Sequence, residues 1–261
     1  MSDTDVTARP TSPRVGLFVT CLADAMRPRL GFAALTLLEQ AGCIVEVPPS
    51  QTCCGQPAFN SGADAATIPL ARQVIAAFES YDYLVAPSGS CASMIKAHYP
   101  ELFANDPVWL ERAQKLAART YELLSFLTDV RGFMPKGLVC PASATYHDSC
   151  SGLRELGVKA QPRALLASVE GLTLRPLDGE ETCCGFGGTF CVKYSDISNA
   201  IVGDKAEAVI ASGADLLLGG DLGCLMNMAG KLNRQGAKTR VFHAAEILAG
   251  MGDGPAIGEE A

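Results

Sequence analysis

Short apolar runs alternate along this chain with longer stretches whose apolar residues recur at helical spacing. Val15–Thr20 reads as a buried strand, and Arg29–Gln40 as a helix that stops at Gly42. Ile44–Val47, closed by Pro48-Pro49, predicts a second strand, Ile68–Phe78 a helix and Tyr83–Ala86 a third strand. A long helical stretch is expected from about Pro107 to Leu127. The order then recurs. Ala144–Tyr146 predicts a strand, Pro162–Val169 a helix, Leu172–Pro176 a strand, Ile197–Ser212 a helix and Leu216–Leu218 a strand. A last strand near Arg240–Phe242 and a short helix near Ala244–Leu248 complete it.

Strands that alternate with helices imply parallel sheets with right-handed crossovers. The expected fold is α/β: two tandem related halves, each a small parallel sheet flanked by helices, with approximate two-fold symmetry. The expected boundaries are a flexible tail over 1–13, a first cysteine-rich domain over 14–132, a second over 133–250, and a frayed Gly-rich, acidic tail over 251–261.

Composition narrows the function classes. Of 261 residues, 48% are hydrophobic and 19% charged, ample for a buried core and against disorder. A net charge of −7 makes nucleic acid an unsuitable partner. No apolar run approaches membrane-spanning length, and the polar start, Met1 to Arg14, has no apolar signal core, so a cytoplasmic setting is expected. There thiols stay reduced, and the 11 cysteines are an odd number. Metal or redox chemistry is therefore favoured over a disulfide framework.

The cysteines are patterned. Cys53-Cys54-Gly55 and Cys183-Cys184-Gly185 repeat one triplet, framed by Cys21 and Cys91 in the first half and by Cys150 and Cys224 in the second. All eight fall just after expected strands, the edge of an open α/β sheet where ligands bind. Four thiols per half is the number that usually anchors an iron–sulfur cluster. Zinc is the competitor, but structural zinc sites commonly use Cys-x-x-Cys knuckles, and this chain has none. Adjacent cysteines strain to fill two corners of one small tetrahedron, yet they can reach different irons of a cluster. A redox-active vicinal disulfide is the third option. The glycine after each pair permits a turn that brings backbone close to a bulky core.

The remaining candidates have a bland and a sharp reading. Cys43 and Cys140 read as incidental thiols. Cys191, seven residues after Cys184 and near an expected helix start, reads either as a bystander or as an extra thiol of the second set. His147, three residues before Cys150, is equally a hydrogen-bond donor to a cluster sulfur, a proton carrier or a turn-stabilising residue. His243 is expected to orient the last strand–helix turn, His98 to lie on the surface and Asp148 to cap a turn. Arg29 and Arg154 read as solvated rather than as offsets to cluster charge. Trp109 and Phe103 read as interhelix packing rather than a partner anchor.

The two framed triplets resemble the cysteine-rich CCG domain, which occurs in heterodisulfide reductase and in the iron–sulfur subunits of glycolate oxidase and anaerobic glycerol-3-phosphate dehydrogenase. Phe18-Val-Thr-Cys21, Cys53-Cys-Gly-Gln-Pro57, Asn60-Ser-Gly62, Cys183-Cys-Gly-Phe-Gly-Gly-Thr-Phe190, Val192-Lys193 and His243 before Ala245-Glu246 are similar to the lactate utilization protein A family, over about Arg14 to Leu248. The resemblance implies a cytoplasmic electron-transfer subunit of a complex oxidising L-lactate to pyruvate. It implies as partners a larger ferredoxin-type iron–sulfur subunit and a third small subunit. It implies one or two iron–sulfur clusters, a 4Fe-4S type among the candidates, on Cys21, Cys53, Cys54 and Cys91 and on Cys150, Cys183, Cys184 and Cys224. The broader CCG pattern ends in Cys-x-x-Cys; here Ser88 precedes Cys91 and Asp221 precedes Cys224. Ser88, Asp221 and Cys191 are therefore possible extra ligands. The alternatives are a zinc- or thiol-stabilised scaffold subunit without electron transfer, and a catalytic subunit like that of heterodisulfide reductase.

Overall fold

The computed structural model describes residues 12–259. Residues 1–11 of the expected N-terminal tail, and residues 260 and 261, lie outside the described residues. Eight strands form two four-stranded, wholly parallel sheets. The first contains β1 (Arg14–Leu17), β2 (Ile44–Glu46), β3 (Tyr83–Ala86) and β4 (Thr120–Glu122), in the order β2-β1-β3-β4. The second contains β5 (Val139–His147), β6 (Glu170–Leu174), β7 (Leu216–Gly219) and β8 (Arg240–His243), in the matching order β6-β5-β7-β8. The α/β fold of two related halves is thus as the sequence predicts.

The central strands are apolar runs because helices cover both faces. Leu84, Val85 and Ala86 of β3 and Leu217 and Leu218 of β7 are fully buried. Each Leu buried in this way contributes roughly 1.5–3 kcal/mol. One apolar core runs through both halves, from Val15 and Leu37 to Leu217 and Phe242, and a smaller cluster around Phe18, Phe78 and Tyr99 belongs to the first half.

The halves meet by reciprocal helix pairs. Helix Gly89–Ser93 packs on helix Cys150–Leu156, and its counterpart Leu222–Arg234 packs on Cys21–Met26. Likewise Leu123–Ser125 meets Ala160–Leu166, and Ala244–Leu248 meets Pro28–Gln40. Each pairing is the two-fold image of the other.

Two expectations differ from the structure. The stretch expected as one helix from Pro107 to Leu127 is helix Pro107–Ala117, strand β4 and a short helix from Leu123 that widens into a π-turn over Phe126–Val130. Three strand residues are too few to show a period of two, and β4 is flanked by good helix formers. The C-terminal stretch expected to fray lies against the fold. Ile257 is buried, its amide donates to the Val241 carbonyl, and Arg27 donates to the Pro255 carbonyl.

Candidate metal centre

β1, β3, β5 and β7 all deliver their carboxyl ends to the place where the halves face each other. Cys21 opens the helix after β1, with Thr20 as its cap, the Thr20 hydroxyl accepting from the Ala23 amide at 3.3 Å. Cys91 lies in helix Gly89–Ser93 after β3, Cys150 opens the helix after β5 and Cys224 lies at the start of Leu222–Arg234 after β7. The triplets occupy the loops after β2 and β6. Gly55 and Gly185 have φ of +85° and +79°, so a side chain at either would be strained. The turn aims each glycine amide back at the first sulfur of the pair. Gly55 N–H donates to Cys53 Sγ at 3.4 Å and Gly185 N–H to Cys183 Sγ at 3.3 Å.

The first four thiols converge. Cys21 Sγ lies 3.7 Å from Cys53 Sγ, and Cys54 Sγ lies 3.4 Å from Cys91 Sγ. The second set repeats the pairing, Cys150 with Cys183 and Cys184 with Cys224. In both halves the first cysteine of the adjacent pair is the favoured thiolate. Cys53 is held far below the usual thiol range by hydrogen bonds from Cys21 and Cys54, and Cys183 by those from Cys150 and Cys184. Cys21, Cys54, Cys150 and Cys184 are pushed up, first because each donates to a neighbouring sulfur and then by burial. Tyr99 Oη donates to the Cys54 carbonyl and Asn227 Nδ2 to the Cys184 carbonyl, each at 2.8 Å, which anchors the second cysteine of each pair. A soft metal ion or a metal–sulfur core suits such donors: the sulfurs touch, and one in each set is ready as thiolate.

The two sites are not copies. Three residues before its first cysteine, the first half has Phe18 and the second has His147. The buried positions of helix Asp64–Phe78 (Thr67, Ala71, Val74, Ile75, Phe78) match those of helix Ser195–Ser212 (Ser198, Val202, Lys205, Ala206, Val209) one for one. Val74 of the first half is therefore Lys205 in the second. Lys205 is 2% exposed and donates to the carbonyls of Gly179 and Glu180. Its signal in the sequence was a lysine on the apolar stripe of its helix. His147 is 1% exposed, and neither ring nitrogen has a hydrogen-bond partner. Burial, and then the charge of Lys205, lowers its pKa to about 3. One atom each from His147, Cys184 and Cys224 lie within 4.8 Å of one another.

Ser88 and Asp221 meet at the seam between the halves. The Ser88 hydroxyl donates to Asp221 Oδ2 at 3.0 Å, and the same oxygen accepts from the Ser90 amide at 3.0 Å. Both residues line a cavity of about 260 Å³ over the first thiol set, closed on the other side by Phe186, Thr189 and Val192 of the second half. Cys191 is turned to its own loop, its thiol donating to the Gly188 carbonyl at 3.3 Å. Cys43 is buried in the core, and Cys140 lies on β5.

Other expected roles sort as follows. His243 caps helix Ala244–Leu248: its Nδ1 accepts from the Ala245 amide, and Glu246 accepts from the His243 amide. Asp148 does more than cap a turn; it is buried in a two-pronged ion pair with Arg163 at 2.9 and 2.8 Å. Arg29 is paired with Glu246 at 3.0 Å. His98 is half-buried against Phe59 between Glu101 and Glu155. Phe103 and Trp109 stack at 5.8 Å, with Arg72 and Arg112 over the indole. Arg154 lies exposed near Cys183.

Comparison with known proteins places this geometry. The family model for the cysteine-rich (CCG) domain matches twice, over residues 15–96 and 144–229. The chain is 49% identical over 238 residues to lactate utilization protein A of an Exiguobacterium species, covering 90% of this chain and 97% of that one. It is 48% identical over 235 residues to lactate utilization protein A of Macrococcus caseolyticus, covering 90% and 96%. Among solved structures, a hypothetical protein from Helicobacter pylori shares the fold, with a TM-score of 0.63 at 15% identity, over 94% of this chain and 51% of that one.

Proposed function

Because the chain belongs to the CCG cysteine-rich domain family, alongside the lactate utilization proteins A, we propose that it serves lactate utilization as an iron–sulfur electron-transfer subunit. The observation that carries this reading is the convergence of two sets of four thiols on facing sheet edges, with sulfurs of the first set 3.4 and 3.7 Å apart. Cys21, Cys53, Cys54 and Cys91 would hold one group, and Cys150, Cys183, Cys184 and Cys224 the other. An iron–sulfur group bound there supplies one-electron transfer at a potential set by charge, hydrogen bonds to sulfur and burial. The chain's own residues supply those settings. The Gly55 and Gly185 amides donate to sulfur, the core buries Cys54, Cys91, Cys184 and Cys224, and Lys205 places a cation beside the second set.

In this reading the partners are a larger ferredoxin-type iron–sulfur subunit and a third small subunit, in the cytoplasm, and L-lactate is the substrate of the complex. No helix among the described residues is long and apolar enough to cross a membrane. The cavity over the first thiol set favours a second reading, in which this chain binds a small molecule at its own metal group.

Iron and acid-labile sulfide counts on anaerobically purified wild type, Cys54→Ser and Cys184→Ser test the first reading. Iron and sulfide that fall in each variant support it; stoichiometric zinc with neither iron nor sulfide overturns it in favour of a scaffold. Lactate-dependent reduction of the isolated chain selects the second reading, and reduction only with the partner proteins selects the first.

A further inference from the structure

The second thiol set contains a donor that the first cannot have. His147 ends β5, is 1% exposed, and has no hydrogen-bond partner at either ring nitrogen. A buried imidazole left so costs roughly 1–3 kcal/mol per unsatisfied group. The fold tolerates that cost beside the sulfurs of the second set rather than in an apolar pocket. A ring nitrogen of His147, Cys184 Sγ and Cys224 Sγ lie within 4.8 Å of one another, all three residues buried. Three ligands at 2.0–2.3 Å from one ion stand about 3.3–3.8 Å apart, so a small closing movement suffices. The corresponding place in the first half is Phe18, fully buried and packed against Phe78 at 5.6 Å between ring centroids.

We propose that His147 is a metal ligand, so that the second half binds its metal through mixed imidazole and thiolate donors while the first half binds through thiolates alone. This rests on the reading above only in placing a metal at the second set. One ring nitrogen would take the metal. The Glu180 carbonyl, held in place by the Lys205 ammonium at 3.0 Å, is the nearby backbone group that would accept from the other N–H, the usual way a metal-bound histidine is oriented. The consequence is functional asymmetry. An imidazole in place of a thiolate removes negative charge from a centre and raises its potential, as in Rieske centres relative to all-cysteine ones. In the electron-transfer reading, electrons would then run downhill from the first half to the second.

Cobalt(II) is the probe, because it reports its ligands whether or not the natural group contains iron or sulfide. The metal-free full-length chain, labelled with ¹⁵N-histidine, is loaded with Co²⁺ without oxygen. The expected result is thiolate-to-cobalt charge-transfer absorption at both sets, plus a hyperfine-shifted, solvent-exchangeable imidazole N–H proton signal bonded to ¹⁵N. That signal disappears in His147→Phe and in His147→Gln, and the charge-transfer band that depends on Cys54 remains. Cobalt held with no shifted imidazole signal in the wild type overturns the proposal, as does a signal that survives both substitutions, or no cobalt uptake that depends on Cys184. Where a His147 variant fails to fold, a wild-type signal that persists in His98→Gln supports the proposal, and one that is lost there overturns it. Absence of iron in the native protein would defeat the electron-transfer reading and leave this ligand assignment standing.

Discussion

The Ser88 hydroxyl donates to the Asp221 carboxylate at 3.0 Å, joining two residues that hold equivalent places in the two halves. Each stands three residues before the last cysteine of its set, where the broader CCG pattern has a further cysteine. Here those places form a clasp across the seam. Asp221 also accepts from the Ser90 amide, and the Ser88 hydroxyl accepts from the Cys91 amide at 3.3 Å, so the clasp fixes the helix that carries Cys91. Asp221→Ala leaves the buried Ser88 hydroxyl and the half-buried Ser90 amide without that acceptor, and a stability loss of about 1–3 kcal/mol is expected. Ser88→Ala should cost about 1 kcal/mol, and the double variant should show a coupling of roughly 0.5–3 kcal/mol in urea denaturation. Strict additivity of the two substitutions would mean that the clasp contributes nothing to holding the halves together.

Close backbone approach at the same seam gives a second expectation. A Cβ on Gly89 would lie 2.9 Å from Gly152 Cα and 2.9 Å from Ser149 Oγ, and the first of these is backbone that cannot rotate away. Gly89→Ala must push apart helices Gly89–Ser93 and Cys150–Leu156, which carry Cys91 and Cys150. A loss of about 1–3 kcal/mol is expected, with lower metal uptake by both thiol sets. Gly31, inside helix Pro28–Gln40, is the contrast: its nearest neighbour for an added Cβ is Val19 at 3.5 Å. Gly31→Ala should stabilise by about 0.5–1 kcal/mol. If Gly89→Ala kept wild-type stability and metal content, the tight seam would not matter to the sites.

How much of this was readable beforehand depends on whether the signal was local. β3 and helix Ala244–Leu248 have the bounds their apolar pattern predicts, because strand and cap chemistry act over a few residues. The thiol sets were also readable, since each cysteine follows a strand and parallel strands bring such positions to one edge. The Ser88–Asp221 clasp was not, because it joins residues 133 apart and depends on how the halves pack. Asp148 has a turn residue's sequence context, yet its carboxylate is claimed by Arg163 from helix Ala160–Leu166. Lys205 could have been found, since it interrupts the stripe of Val202, Ala206 and Val209 that faces the core.

Buried acid at the seam predicts a pH dependence. Glu122 is 2% exposed; burial, opposed by the Leu124 and Ser125 amides and reinforced by the charges of Asp221 and Asp129, raises its pKa from 4.5 to about 7. Its folded pKa lies above the unfolded one, so its favourable contribution is present in full below pH 4.5 and is lost as pH rises to about 7. Over that window the folded state holds a proton that the unfolded state has released, and stability should fall by about 3 kcal/mol. Glu122→Gln keeps an acceptor for the Ser125 amide and removes the titration. The variant should equal wild type near pH 4.5 and exceed it near pH 8 in denaturant midpoint. Parallel pH profiles for the two proteins would rule out Glu122 as the source.

Glu246 carries the last prediction, because one buried carboxylate serves three groups. Arg27 Nε donates to both its oxygens at 3.0 and 3.2 Å, Arg29 Nε lies 3.0 Å away, and the His243 amide donates to it at 3.1 Å. The arginines belong to the first half and Glu246 to the second, so this ion triad is a further lock across the seam. Glu246→Gln leaves Arg27, 9% exposed, with a largely buried charge and no carboxylate partner. Breaking a buried pair from one side costs about 3–5 kcal/mol, which at about 2–4 °C per kcal/mol is a drop of roughly 6–20 °C in melting temperature. Arg29→Ala should cost much less, since Arg29 is 26% exposed and Arg27 still neutralises the carboxylate. Differential scanning calorimetry of the two variants separates these outcomes, and equal losses from both would contradict the assignment of Arg27 as the principal partner.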